Sequence, residues 1–137
     1  MVIRSSKLKN LNIQPLSVAK YFYEKLGERG VEQTFIQPIA YLAYKEILKK
    51  ENILLFKEEF QAGIACPILL SLRDIIRKHG DHLDHFFAQI PDLEDERVLP
   101  YLEKLAKKYA NSFGFEVQYQ ARDNLWKKTP ENEAIRI

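Results

Sequence analysis

Apolar positions recur at helical intervals along most of the chain. In "LSVAKYFYEKLGERG", Val18, Phe22 and Leu26 fall four residues apart, Ser17 stands where it can cap the start, and Gly27 or Gly30 can supply a left-handed exit. That spacing predicts a first helix. From Thr34, the run Ile36, Ile39, Ala40, Ala43, Tyr44 and Ile47 follows the i, i+3, i+4, i+7 pattern through "KEILKK", with Thr34 and Gln37 placed as a capping box. Pro38 is tolerable in this second helix because it is expected in the first turn, where a missing N–H costs little. "NILLF" is too short and too uniformly apolar to assign by period, so Asn52 to Phe56 reads as a connector or short strand.

Further along, Pro67 precedes a stripe of Leu69, Leu72, Ile75 and Ile76, which places it at the first position of a third helix closed by Gly80. Ala62, Gly63 and Ala65 let the preceding segment cross closely over another element. A later helix is expected from about Glu94 to Ala110, with Val98, Leu102, Leu105, Ala106 and Tyr109 inward. "FGFEVQYQARDNLWKK" reads as a final helix ending near Trp126, and "TPENEAIRI" as a loose tail. No stretch sustains strand alternation. The expectation is a single all-α domain of about five to six helices with a short strand or extended connector. Its boundaries are an N-terminal extension over 1–15, a helical domain over 16–128 and a tail over 129–137.

Composition narrows the functional classes. At 137 residues the chain suits one domain with its own core, and its 46% apolar content argues against disorder. A net charge of +2, with acids and bases interleaved, argues against binding to a phosphate backbone. "LRDIIRKHG" supplies only Arg73, Arg77 and Lys78, with Asp74 among them, which is thin for a DNA-reading helix. One cysteine cannot form an internal disulfide, and "MVIRSSKLKNLNIQP" has no apolar core of a secretion signal, so the expected location is the cytoplasm, with no membrane contact.

Two groups of residues could carry chemistry. "HGDHLDH" spaces His79, His82 and His85 three apart with Asp81 and Asp84 between, a set that could ligate a transition metal. On a helix that spacing drifts around the cylinder, and Gly80 signals a helix end, so the expected reading is a solvated loop with no metal and no cofactor. Cys66 could be a nucleophile only beside a base, and no histidine lies within local reach before His79, so a buried structural thiol is expected. No phosphate-binding loop, nucleotide fingerprint or serine elbow is present, and no enzymatic activity is expected. The aromatics Tyr21, Phe22, Tyr23, Tyr41 and Tyr44 offer another route to function. Tyr21 and Tyr23 flank the inward Phe22 by 100° each way, so both cannot be fully buried, and tyrosine suits a protein interface.

The blocks "LSVAKYFYEKL", "FIQPIAYLAY", "EEFQAGIACPILLSLRDIIRKHG" and "LPYLEKLAKKYANSFGFEVQYQARDNLWKK" resemble, in order, those of the Panacea domain, the SocA-like, phage-associated helical domain of bacteria and their viruses. Ala19-Lys20-Tyr21 matches an Ala-Lys-Tyr in the family's first helix, and Gln37 and Tyr41 match two positions of its Leu-Gln-Lys-Leu-Leu-Tyr helix. Glu59, Phe60, Ala62 and Cys66-Pro67-Ile68 resemble the acidic and aromatic approach to Gly-Pro-Val, with Cys66 in place of the glycine. Trp126 agrees with a closing tryptophan, and Ala121-Arg122 stand in for a Thr-His pair. The resemblance spans roughly 16–128 and is that of a divergent member.

It implies an antitoxin that binds and neutralises a toxin protein encoded beside it, by recognition rather than catalysis. The alternative is an adaptor or scaffold that hands a bound protein to a protease, a chaperone or another assembly. The candidate partner-binding residues it implies are Tyr21, Gln37, Tyr41, Cys66, Pro67, Arg122 and Trp126.

Overall fold

A computed structural model describes residues 9–137; the first eight residues of the expected N-terminal extension lie outside the described residues. The long second helix, with apolar residues on nearly every side, organises everything else. In chain order the elements are β1 (Lys9–Asn10), α1 (Pro15–Leu26), a 3₁₀ turn (Gly27–Val31), α2 (Gln33–Glu51), β2 (Ile53–Leu54), β3 (Gln61–Ala62) and β4 (Pro67–Ile68). They continue as α3 (Leu70–Lys78), a 3₁₀ turn (Gly80–His82), α4 (Leu83–Ala88), α5 (Leu99–Lys108), α6 (Gly114–Ala121) and α7 (Asn124–Lys128). Seven α-helices and two small two-stranded sheets among the described residues make this a mostly helical domain.

Helix α2 buries Ile36, Ile39, Ala40, Ala43, Tyr44 and Ile47, the positions its period marks, and also Phe35, Gln37, Pro38, Tyr41 and Leu48. A helix buried on that much of its circumference must be wrapped by others. Helices α1, α3, α5 and α6 and strands β2 and β4 all pack on it, α6 most extensively.

The start of α2 differs from expectation. It begins at Gln33 behind an extended Glu32, with no side-chain cap, so Thr34 and Gln37 form no capping box. Pro38 therefore sits in the second turn and leaves the Thr34 carbonyl without its usual i+4 N–H partner. The end is conventional: Asn52 adopts a left-handed conformation (φ 56°) and donates its N–H to the Leu48 carbonyl at 3.1 Å.

Helix α1 starts two residues before Ser17, with Pro15 in its first turn. The Ser17 hydroxyl donates to the Pro91 carbonyl at 3.0 Å instead of capping. Gly27, at φ 73°, provides the expected exit. Within the expected extension, Lys9 to Ile13 run parallel to 53–55, with Leu11 and Ile13 donating N–H to Leu54 and Leu55 at 3.1 and 3.0 Å, and its last residue, Pro15, already belongs to α1. Helices α1 and α2 form the long crossover that a parallel pair requires.

Three further expectations are corrected. Pro67 lies in β4, paired antiparallel with β3 (Gln61 opposite Ile68, Ala62 opposite Pro67), and the helix begins only at Leu70. A proline is tolerated in so short a strand because few ladder bonds depend on it. The expected last helix is two: Arg122-Asp123 breaks it, and Asp123 caps α7 by accepting the Trp126 N–H at 2.9 Å. The expected loose tail is docked. Ala62 and Ile135 donate N–H to Glu133 and Phe60 at 2.9 and 2.8 Å, Asn132 donates to Ala62 at 2.9 Å, and Ile135 is buried. One buried isoleucine, together with the free edge of β3, fixes it.

Candidate interaction surface

The hairpin β3–β4 turns through Gly63 to Cys66, and this turn is where most of the candidate residues meet. The turn is tight: a Cβ on Gly63 would fall 2.6 Å from the Cys66 carbonyl oxygen. Its carbonyls face the corner between α6 and α7. Arg122 donates from Nε to the Ala65 carbonyl at 2.6 Å, and Trp126 donates from Nε1 to the Gly63 carbonyl at 2.8 Å. The Arg122 guanidinium also lies over the Trp126 ring, 5.9 Å from its centre. Held from both sides, the turn leaves the Ile64 side chain 82% exposed.

Behind this corner the other candidates are structural. The Gln37 carboxamide is buried and grips the chain just before α3, accepting from the Leu69 N–H at 2.8 Å and donating to the Leu69 carbonyl at 3.0 Å. Tyr41 is fully buried, edge-on to Phe60, and its hydroxyl donates to Asp123 at 2.8 Å. Burial first, and then that hydrogen bond, push the Tyr41 hydroxyl pKa well above the ordinary phenol range.

Asp123 is the hub. It pairs with Lys45, accepts from Tyr41 and caps α7. Burial alone would raise its pKa, but Lys45, the Trp126 N–H and the Tyr41 hydroxyl together hold it below the usual carboxylate range. Neither Asp123 nor Lys45 has a signal in the sequence beyond a charged residue in a helical stretch.

Cys66 is buried, and its thiol is pushed up to about 11 by burial, with Arg122 and Gln118 offsetting only part of that effect. Such a thiol is protonated at neutral pH, as expected for a structural cysteine. Pro67 is buried beside it. Tyr21 stands apart, on α1, half-buried with its ring edge-on to Phe22 and Lys25 over its face. Of the seven candidates, then, Cys66, Pro67, Arg122 and Trp126 meet at this corner, Gln37 and Tyr41 lie behind it, and Arg122 and Trp126 reach its surface.

The surface features that sequence reasoning did not single out lie next to this corner. Helix α6 turns Val117 and Ala121 toward α2 and leaves Phe115 and Tyr119, one turn apart, 66% and 65% exposed. Phe113, just before the helix, is 68% exposed and stacks parallel to Phe115 with ring centres 5.7 Å apart. Arg122 continues the same face three residues after Tyr119 and joins it to the turn that carries Ile64. The period was legible in "FGFEVQYQAR": Phe115, Tyr119 and Arg122 share one face, and Val117 and Ala121 the other.

No family model, no curated protein and no solved structure matches this chain. Among the described residues, no helix is long and apolar enough to cross a membrane, and no group of three or more His, Cys, Asp or Glu is placed to hold a metal ion. The histidine segment is not the expected loop but a 3₁₀ turn leading into α4. His79 stacks on Phe86 at 4.3 Å, and His85 faces the Gln89 side chain at 3.0 Å.

Proposed function

We propose that this domain is a cytoplasmic, non-catalytic protein-binding module: an antitoxin that engages a toxin protein encoded by a neighbouring gene through the α6 face and the adjoining turn. The observation that carries the reading is the gathering of Phe113, Phe115, Tyr119 and Ile64, four of the five large apolar side chains exposed among the described residues, along one helix and the loop bonded to its end. Contiguous aromatic exposure with an arginine at its margin is the composition of an interface core. The resemblance of the sequence blocks to a toxin-neutralising family points to the class of partner.

The second reading, an adaptor handing a bound protein to a protease or chaperone, uses the same surface and differs only in the fate of the bound protein. Expression of the adjacent reading frame tests the choice. It is toxic alone and tolerated with this chain if the domain is an antitoxin. Loss of that protection by Phe115→Ala with Tyr119→Ala, in a protein that stays folded, places the contact on α6. An adjacent product that is harmless alone removes the antitoxin reading.

A further inference from the structure

On the other flank of α6, away from the aromatic face, a groove of about 610 Å³ opens between α2, α5 and α7. Its floor is apolar: Leu42 and Leu48 from α2, Leu105 from α5, with Tyr109 just after it and Leu125 from α7. Its rim is basic on both banks, with Lys45, Lys49 and Lys50 along the last turns of α2 and Lys108 at the end of α5. The two acids that line it are already engaged. Glu46 pairs with Lys50 at 2.9 Å and with Lys104 at 3.4 Å, and Asp123 pairs with Lys45. Lys49 and Lys108 form no ion pair among the described residues, and Lys108 rests over the Tyr109 ring at 5.4 Å. The groove therefore presents uncompensated positive charge on either side of an aliphatic trough.

We propose that this groove binds an acidic amphipathic helix of a partner protein, with the helix's apolar ridge in the trough and carboxylates on both flanks reaching Lys49 and Lys108. Charge complementarity selects that occupant. A ligand with one anionic head would satisfy one bank and leave the other, whereas a helix carries side chains to both sides of its ridge. A single-stranded nucleic acid would need aromatic faces for stacking, and the floor offers aliphatic side chains with a single tyrosine at its margin, whereas a duplex would contact the lysines and leave the apolar trough unfilled. The volume falls in the range that holds several large apolar side chains. This surface is separate from the α6 face, and the inference does not depend on that partner being a toxin.

The test uses the full chain, labelled with ¹⁵N, and a synthetic helix of roughly 16 residues with leucines at i, i+3, i+4 and i+7 and glutamates on both flanks. Controls are the same ridge flanked by lysines, a scrambled sequence of equal composition, laurate and a short DNA duplex. The glutamate-flanked helix is expected to bind with an affinity that falls as salt rises and to shift the amides of Leu42, Leu48 and Leu105. In the Lys49→Glu, Lys108→Glu double variant, which alters only exposed side chains, its affinity is expected to fall about tenfold or more.

Several results would overturn the proposal. They are no binding, equal binding of the lysine-flanked or scrambled peptide, shifts confined to α6, or affinity unchanged by the double variant. Laurate or DNA occupying the groove in place of the peptide would likewise reassign it to a small amphiphile or to nucleic acid.

Discussion

Arg122 donates from Nε to the Ala65 carbonyl at 2.6 Å, and that bond joins the aromatic face of α6 to the turn that displays Ile64. Without it the turn retains the Trp126 bond to Gly63 on one side only. A hydrogen bond from a charged donor contributes about 1.5–3 kcal/mol when shielded, and Arg122 is exposed, so Arg122→Ala should cost about 1 kcal/mol. The more specific readout is amide exchange: protection at 63–66 should fall while that of α2 stays unchanged. Unaltered exchange in the turn would show that Arg122 does not hold it.

Asp123 gives the protein an acid limb. Its folded-state pKa lies below the unfolded value of about 3.9, so its contribution is fully present above that value and is lost as pH falls through the folded pKa. Urea midpoints for the native chain should decline below about pH 4, and Asp123→Asn should be less stable at pH 7 with a flatter decline. Parallel pH profiles for the two proteins would assign the acid limb to other carboxylates.

Cys66 should behave as a packed thiol. With its pKa pushed up to about 11 by burial, it should react slowly with a disulfide reagent at pH 7 in the folded protein and rapidly once unfolded. Cys66→Ser should cost about 1–3 kcal/mol, for a buried hydroxyl, and Leu72→Ala about 2–5 kcal/mol, for a core cavity. Rapid native-state modification, or loss of function on Cys66→Ser with stability intact, would point to a reactive role instead.

The C-terminal segment should contribute to stability. Ile135 is buried and its N–H bonds to Phe60, so Ile135→Ala should cost about 2–5 kcal/mol, whereas Ile137→Ala, at a partly exposed position, should cost far less. Equal melting temperatures for the two variants would mean that the tail is not docked.

What was legible in the sequence was whatever depends on local periodicity. Val18 and Phe22 in α1, Ile36 to Ile47 in α2 and Leu102 to Tyr109 around α5 are buried as their spacing requires. The illegible part depends on partners distant in sequence. Gln37 looks like half of a capping box until Leu69 takes its amide from 32 residues away. Pro67 looks like a helix start until β3 pairs with it. Asp123 looks like one more charged residue in a helix until Lys45 and Tyr41 converge on it and the helix breaks there. The tail looks loose because its anchor is the edge of β3, which no local pattern advertises. Of the residues that the family resemblance picks out, Cys66, Pro67, Arg122 and Trp126 meet at one corner. The exposed face beside them comes from Phe115 and Tyr119, which a second, outward period on α6 would have revealed.

The most direct measurement of the central claim is calorimetric titration of the purified domain with the product of the adjacent gene. The native chain should bind it with a negative heat-capacity change from apolar burial. The Phe115→Ala, Tyr119→Ala variant, folded to the same melting temperature within a few degrees, should lose at least about tenfold in affinity, as expected for aromatic interface anchors. Binding that survives unchanged in that variant would contradict the assignment of the α6 face as the recognition surface.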